Sequence, residues 1–372
     1  MNNHKVTFTL KQHTPIIHFQ SDQNGATVRA SELKPKFDRF LIKYAFEDNK
    51  EHYKAFLIDK DKKALRYKVR IVNRVSSASR WTYKTYVNQK KNDGTQRVGS
   101  YFGNNTALAF DDETDVHFLV QDKRLTPIIR KYFEDFILLH NFGTRQNKGF
   151  GSFSVVAVDG NALNYSEEKI ASAMLHYYPK VYIKRAKEPL KMIHEDYQRL
   201  KSGHNRPYAK SLLFEYMCTQ NIRWEKRMIK QYMQKDYPDV YKQMKFEKPP
   251  VDCTIQEENF YYIRGLLGIA DQIEFLKTNP RNFKDKIKIK IKAENSSIKR
   301  YKSPITFKVV ENTVFAFAET DNAIGGERFT FSIDGNKPLH NPIPVPEHFD
   351  IYSFLDYGLA QKRNYTVKKA HP

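Results

Sequence analysis

Arg145, Lys148, Gly149 and Gly151 stand close together in the stretch Asn141–Phe153, which reads N-F-G-T-R-Q-N-K-G-F-G-S-F. Guanidinium and ammonium groups bind phosphate oxygens through charge-assisted hydrogen bonds. Glycine lets a backbone approach a ligand closely or take a positive φ. The chemistry on offer is recognition of a phosphate, with Phe150 between two glycines as a ring beside it. The same residues also suit a glycine-capped helix end that leads into a strand.

Three glycine-rich templates bear on the choice. A dinucleotide fingerprint has its glycines after a strand and at the opening of a helix, whereas these follow a helical pattern and open a strand-like one. A Walker loop needs Gly-Lys-Ser/Thr, which does not occur here. Lys148-Gly149-Phe150-Gly151-Ser152-Phe153 comes near the Lys-Gly-Phe-Gly-Phe core of RNA-recognition motifs. Ser152 is an extra residue, and one residue reverses the side-chain alternation that a stacking surface depends on.

The whole chain carries the same bias. Its 372 residues have a formal net charge of +21, and 14% are aromatic. Such a field attracts polyanions, either nucleic acid or an anionic membrane surface. Rings beside cations favour RNA, whose phosphates take the charge and whose unstacked bases take the rings. Cys218 and Cys253 lie far apart without a Cys-x-x-Cys pair, which argues against a disulfide framework and a cysteine zinc site. No apolar run approaches the roughly 18 residues that span a bilayer, and the first residues lack a signal-peptide core. A soluble, cytoplasmic protein without cofactor or metal is expected.

The elements that must position the glycine stretch follow from periodicity. Residues 5 to 10 alternate as a first strand, and a loop from His13 to Arg29 follows. Phe37, Phe40, Leu41 and Tyr44 recur at helical spacing, with Pro35 expected in the first turn of that helix. Arg29, Lys34, Lys36 and Arg39 cluster near its N-terminus, where backbone N–H groups favour anions. From Leu65 to Arg74 the chain alternates Leu65, Tyr67, Val69 and Ile71 with Arg66, Lys68 and Arg70. Residues 76 to 114 form a long insertion with a hairpin signal at Asn92-Asp93-Gly94 and stacking candidates Trp81, Tyr83 and Tyr86. A strand at Val116–Val120 precedes a helix capped by Thr126 with Pro127 at its first position, and a strand runs from Phe150 to Val158.

The order β-α-β-β-α-β predicts an α+β fold: a ferredoxin-like (RRM-like) domain over residues 1–160 with a long hairpin insertion. Residues 161–279 read as a helical region, with helices at 197–201, 208–217, 224–232 and 261–276 and basic runs such as R-W-E-K-R. Residues 280–372 read as a second α+β unit, ferredoxin-like in turn, with strands at 286–292, 305–310, 314–318 and 329–333 and a helix near 349–359.

Three segments carry a resemblance to the RAMP superfamily of CRISPR type III effector proteins. They are His13-Thr14-Pro15-Ile16-Ile17-His18, then Arg29-Ala30-Ser31-Glu32-Leu33-Lys34 with Arg39, then Gly143 to Phe153. Within the superfamily the chain looks like the two-domain subunit that caps one end of the Cmr (type III-B) backbone, with Arg300-Tyr301-Lys302-Ser303-Pro304 as a further match. It departs from the pattern at Lys34-Pro35, where that family usually has Lys-Gly.

The resemblance implies a non-enzymatic RNA-binding structural subunit, with guide RNA, target RNA and other RAMP subunits as partners. On this reading Arg29, Lys34, Lys36, Arg39, Arg145 and Lys148 neutralise phosphates, and the backbone N–H groups of Gly149 and Gly151 approach the strand. Trp81 and Phe150 meet bases, and Arg300 and Lys302 extend the track. An alternative is a guide-processing or target-cutting endoribonuclease of the same superfamily. It would use His13, His18 or His117 as general base, or Asp22 in the loop after the first strand. A second alternative is a generic basic protein of RNA or membrane surfaces.

Overall fold

A computed structural model of the chain describes residues 5–16, 28–59, 62–73, 87–90, 96–98, 113–205, 208–245, 260–279, 286–295, 297–298, 301–333, 338–339 and 341–370. His18, Asp22, Trp81 and Arg300 lie outside the described residues, as do Tyr83, Tyr86 and Asn92-Asp93-Gly94. The chain forms two units. The first comprises Met1–Ile193, Thr306–Phe317 and Lys368–Pro372; the second comprises His194–Ile305 and Ala318–Val367.

In the first unit, strand β1 (Lys5–Gln12) is followed by helix α1 (Ala30–Phe40), strand β2 (Tyr67–Asn73) and strand β3 (Glu113–Val120). Helix α2 (Leu125–Leu139), strand β4 (Phe153–Val158) and the short strand β5 (Asn161–Ala162) complete the set. They build one sheet in the order β2-β3-β1-β4-β5, every neighbouring pair antiparallel. Alternation along β1 buries Val6, Phe8 and Leu10 completely and leaves Lys5 and Lys11 exposed. Against that apolar face pack Phe37 from α1 and Phe133 from α2, their rings 5.2 Å apart, with the Phe8 ring 4.4 Å from Phe133. Each such ring removed from water contributes about 2–3 kcal/mol, so this aromatic layer is what fixes the two helices on the sheet. Arg66, Lys68 and Arg70 are exposed, while Leu65 and Tyr67 are buried, as the alternation predicts.

Local starts differ from expectation at three places. Pro35 lies inside α1, because the helix opens at Ala30 with Leu33 N–H donating to the Arg29 carbonyl at 2.9 Å. The proline leaves the Ser31 carbonyl without an intrahelical donor, and the exposure of Ser31 lets solvent take that role. Helix α2 opens at Leu125 rather than at Thr126-Pro127. Arg124 holds the cap position, and its N–H donates to the Asp122 carboxylate at 3.0 Å. Strand β4 starts at Phe153, since Phe150 to Ser152 belong to the preceding turn. In the insertion, Val87–Lys90 pairs antiparallel with Gln96–Val98.

Helix α3 (Glu167–Leu175), capped by the Ser166 hydroxyl, leads to strand β6 (Lys180–Arg185). A second sheet joins β6 to strands β7 (Ile305–Val310), β8 (Thr313–Ala318) and β9 (Thr366–Lys369) in the order β7-β8-β6-β9. Residues 280–372 are therefore not one sheet of their own. In the second unit, Gln272–Leu276, Lys286–Ala293, Arg328–Ile333 and Ile343–Pro344 form a separate antiparallel meander. Its strand Lys286–Ala293 buries Ile287 and Ile289 and exposes Lys288, Lys290 and Lys292.

Helices at Pro189–Lys201, Leu212–Cys218 and Glu225–Asp236 answer to three of the helical expectations. The helix expected over 261–276 is instead a short 3₁₀ turn, Ile263–Leu267, and a strand. Gly268 at φ 99° ends the turn, and the alternating Gln272-Ile-Glu-Phe-Leu then suits a pleat better than a helix.

Candidate nucleic-acid interface

The glycine stretch is a loop closed upon itself. Asn141 bridges Ser152, and Phe142 N–H donates to the Gly151 carbonyl at 2.9 Å. Gly143, Arg145, Gly149 and Gly151 all take positive φ, at 81°, 55°, 80° and 65°. Gly151 has no alternative, because a Cβ there would stand 1.9 Å from the Phe142 carbonyl oxygen. Its N–H donates to the Pro15 carbonyl at 2.9 Å, and Gly149 N–H donates to the Gln146 carbonyl at 3.2 Å. The Thr14 hydroxyl donates to the Gly149 carbonyl at 2.6 Å and accepts from Ser152 N–H at 2.9 Å.

Strand β7 supplies the floor. Phe307 N–H donates to the Asn147 carbonyl, and the Asn141 amide donates to the Phe307 carbonyl at 2.8 Å. The Ser152 hydroxyl donates to the Val309 carbonyl and accepts its N–H. Lys308 is fully buried, and its ammonium donates to the Ile137 and His140 carbonyls at the end of α2. Burial holds its pKa well below the usual lysine value. The carbonyl end of a helix dipole is where such a cation is best placed.

Two expectations are corrected by this geometry. The N–H groups of Gly149 and Gly151 are already bonded within the chain. Phe150 is only 3% exposed, so its ring fills the core and is not presented to a base. The residue inserted at Ser152 is part of the reason, because it turns inward to tie the loop to β7.

The cations divide by environment. Lys34 donates to Asp38 at 2.6 Å and to the Leu65 carbonyl at 3.1 Å, and it lies 4.2 Å over the Tyr67 ring. Lys36 reaches across to the loop, donating to Glu32, to the Asn141 carbonyl and to the Gln146 side chain at 2.7 Å. Glu32 in turn accepts the Gly143 N–H at 3.0 Å. A carboxylate of this chain thus occupies the loop amide that an anion would otherwise take. Arg39 on the last turn of α1 and Arg145 in the loop are exposed; Arg29, at the cap of α1, is half-buried. Lys148 is half-buried too, and burial, then the charge of Arg145, pushes its pKa down to about 8. Helix α1 and the loop are therefore brought together, as the two basic clusters in the sequence suggest. Lys302 is exposed and belongs to the second unit.

His13 is unsuited to general-base chemistry. Its Nδ1 accepts the Glu311 N–H at 3.1 Å, which leaves the proton on Nε2 to be donated to the Ser154 hydroxyl at 2.8 Å. In that tautomer it cannot take the serine proton. Burial, and next the charge of Lys308, lowers its pKa to about 3. His117 Nδ1 lies 2.9 Å from the Thr7 hydroxyl on the sheet. Among the described residues no three His, Cys, Asp or Glu side chains gather as a metal site requires, and no helix is long and apolar enough to cross a membrane.

Sequence reasoning gave weight to the glycine loop and little to R-W-E-K-R. In the second unit that run places Lys226 beside the rings of Trp224 and Phe275, at 5.6 and 5.1 Å from their centroids.

Comparison with known proteins covers nearly the whole chain. Residues 3–204 match the model of the Cmr1 N-terminal domain, and residues 208–371 match that of the Cmr1 C-terminal domain. No curated protein matches. Among solved structures, the crystal structure of Cmr1 from Pyrococcus furiosus (apo form) is 11% identical over 98% of both chains, with a TM-score of 0.42. A chain of the cryo-EM structure of the type III-B Cmr-beta bound to cognate target RNA is 13% identical, with a TM-score of 0.30. That match covers 42% of this chain and 59% of the other. The two domain models together reach from residue 3 to residue 371, and on that ground the chain belongs to the Cmr1 family of RAMP proteins.

Proposed function

We propose that this chain is a non-catalytic, RNA-binding structural subunit of a type III-B CRISPR effector complex, acting in the cytoplasm in antiviral defence. Its partners are guide RNA, target RNA and other RAMP subunits. Membership of the Cmr1 family supports the complex. The sheet order β4-β1-β3-β2, with a helix after its first and third strands, supports reading the first sheet as ferredoxin-like.

The observation that carries the RNA contact is the exposure of Arg39 and Arg145 on two elements locked together by Lys36 and Glu32. With the loop amides already bonded, the phosphates are held by side chains, and the glycines make the loop rigid enough to aim them. Lys68 and Arg70, exposed on β2, add charge without adding base recognition.

The test is the salt dependence of binding to a single-stranded RNA. Arg39→Ala with Arg145→Ala is expected to weaken binding and to flatten the slope of log K against log [salt] by about 1.4, roughly 0.7 for each phosphate no longer neutralised. An unchanged slope in the folded double variant would remove both residues from the interface. Incubation with guide precursor or target RNA is expected to leave both uncut, and cleavage would instead favour the endoribonuclease reading.

A further inference from the structure

The second unit gathers positive charge around one indole. Trp224 pairs with Tyr261 in a short parallel bridge and caps the helix Glu225–Asp236. The helix places Lys226 and Lys230 one turn apart on one face. Arg264, in the turn after Tyr261, has its guanidinium 6.0 Å from the Trp224 ring centroid and is held there by fully buried Glu225. Lys226 lies by the same indole and by the Phe275 ring. Its ammonium has no hydrogen-bond or ion-pair partner among the described residues. Burial, then the charges of Arg264 and Lys230, lowers its pKa to about 7.

We propose that Lys226, together with Lys230 and Arg264 beside Trp224, binds a phosphate group. Among the described residues, the carboxylate beside Lys226, that of Glu225, is already engaged by Arg264, and none is left to Lys226 as a counter-ion. Ring faces attract a desolvated ammonium but leave its N–H donors without an acceptor oxygen. A phosphate offers several oxygens to converging donors, and half-exposed Trp224 offers a face to the sugar or base that a nucleotide phosphate brings with it. The site therefore suits a nucleotide phosphate, free or within a strand.

Competitive acylation of the full chain tests this, read by mass spectrometry at each lysine. At pH 7.5 Lys226 is expected to react at least about tenfold faster than exposed Lys292, because far more of its amine is unprotonated. Inorganic phosphate is expected to slow Lys226 several-fold, at ionic strength matched with chloride. Protection by a short oligoribonucleotide at lower concentration would identify the source as a strand; protection by phosphate and mononucleotide alone would identify a free ligand. A Lys226 rate that neither phosphate, mononucleotide nor oligoribonucleotide changes overturns the site.

In a Trp81→Phe background, Trp224 emission is expected to shift with phosphate, and Lys226→Met is expected to abolish that shift while the fold remains. Emission indifferent to phosphate would likewise count against the site. The Arg39→Ala, Arg145→Ala variant should keep Lys226 protection by inorganic phosphate, so failure of the glycine-loop interface and failure of this site are read separately.

Discussion

The glycine loop of the first unit and the Trp224 cluster of the second are opposite solutions to placing cations beside rings. In the loop, Lys36 has three acceptors within 3.1 Å and the N–H groups of Gly143, Gly149 and Gly151 are bonded internally. In the cluster, Lys226 has two rings and no described acceptor. The stretch that looks in sequence like a ligand cradle is thus internally satisfied, and its function passes to the side chains it aims. The stretch that looks like an ordinary basic helix start keeps an ammonium without an acceptor among the described residues. Glycine content reports how closely a backbone must pack. Only the hydrogen-bond partners tell whether what it packs against is ligand or protein.

The contrast can be broken most severely at His13, which underpins the loop. Burial holds its imidazole at about 3, below the ordinary 6.5, so the unfolded chain takes up a proton that the folded chain refuses. Its contribution to stability is full above about pH 6.5 and is lost progressively as pH falls toward 3. The side chain is only 3% exposed, and the loss is on the order of 4 kcal/mol. Urea denaturation at pH 7 and pH 4 should show most of it, and His13→Asn, which keeps an acceptor for the Glu311 N–H, should show much less. Equal acid sensitivity in the two proteins would place the titration elsewhere.

Gly151→Ala comes next. A methyl group facing the Phe142 carbonyl, at a φ that disfavours side chains, is expected to cost about 3 kcal/mol or more in thermal or urea unfolding. Gly160 has a φ of 86° but nothing within 4 Å of a Cβ, so Gly160→Ala is expected to cost only about 1 kcal/mol. Similar losses at both would mean that φ alone, not close packing, explains the loop glycines. Smaller again in stability is Lys36→Met, at about 2 kcal/mol, from three hydrogen bonds to a side chain that stays 16% exposed. It sharpens the comparison, because a loosened loop should also bind RNA more weakly although Arg39 and Arg145 remain. Unaltered affinity in that variant would show that the loop need not be rigid.

Much of the first sheet was legible because period-2 and period-3.6 burial are local. Val6, Phe8 and Leu10 alternate, and Phe133, Phe136 and Ile137 stripe one helix face, wherever the rest of the chain goes. The cap positions of α1 and α2 were read less well, since Pro35 and Thr126 carry strong local preferences that neighbouring residues override. The stretch 261–276 failed for a related reason: its apolar residues fit a helix, but Gly268 and the pairing of Gln272–Leu276 with Lys286–Lys290 make it turn and strand.

The sequence by itself determined the charge, the aromatic core of the first sheet and the two basic clusters near Arg29–Arg39 and Arg145–Lys148. Composition and periodicity are properties of neighbouring residues, so no fold is needed to see them. Tertiary structure alone decided which cations remain exposed, that β7 from residues 305–310 floors the glycine loop, and that Glu32, not a ligand, holds the Gly143 amide. Those outcomes depend on partners more than a hundred residues away, and a donor's availability is set by the acceptor that reaches it first.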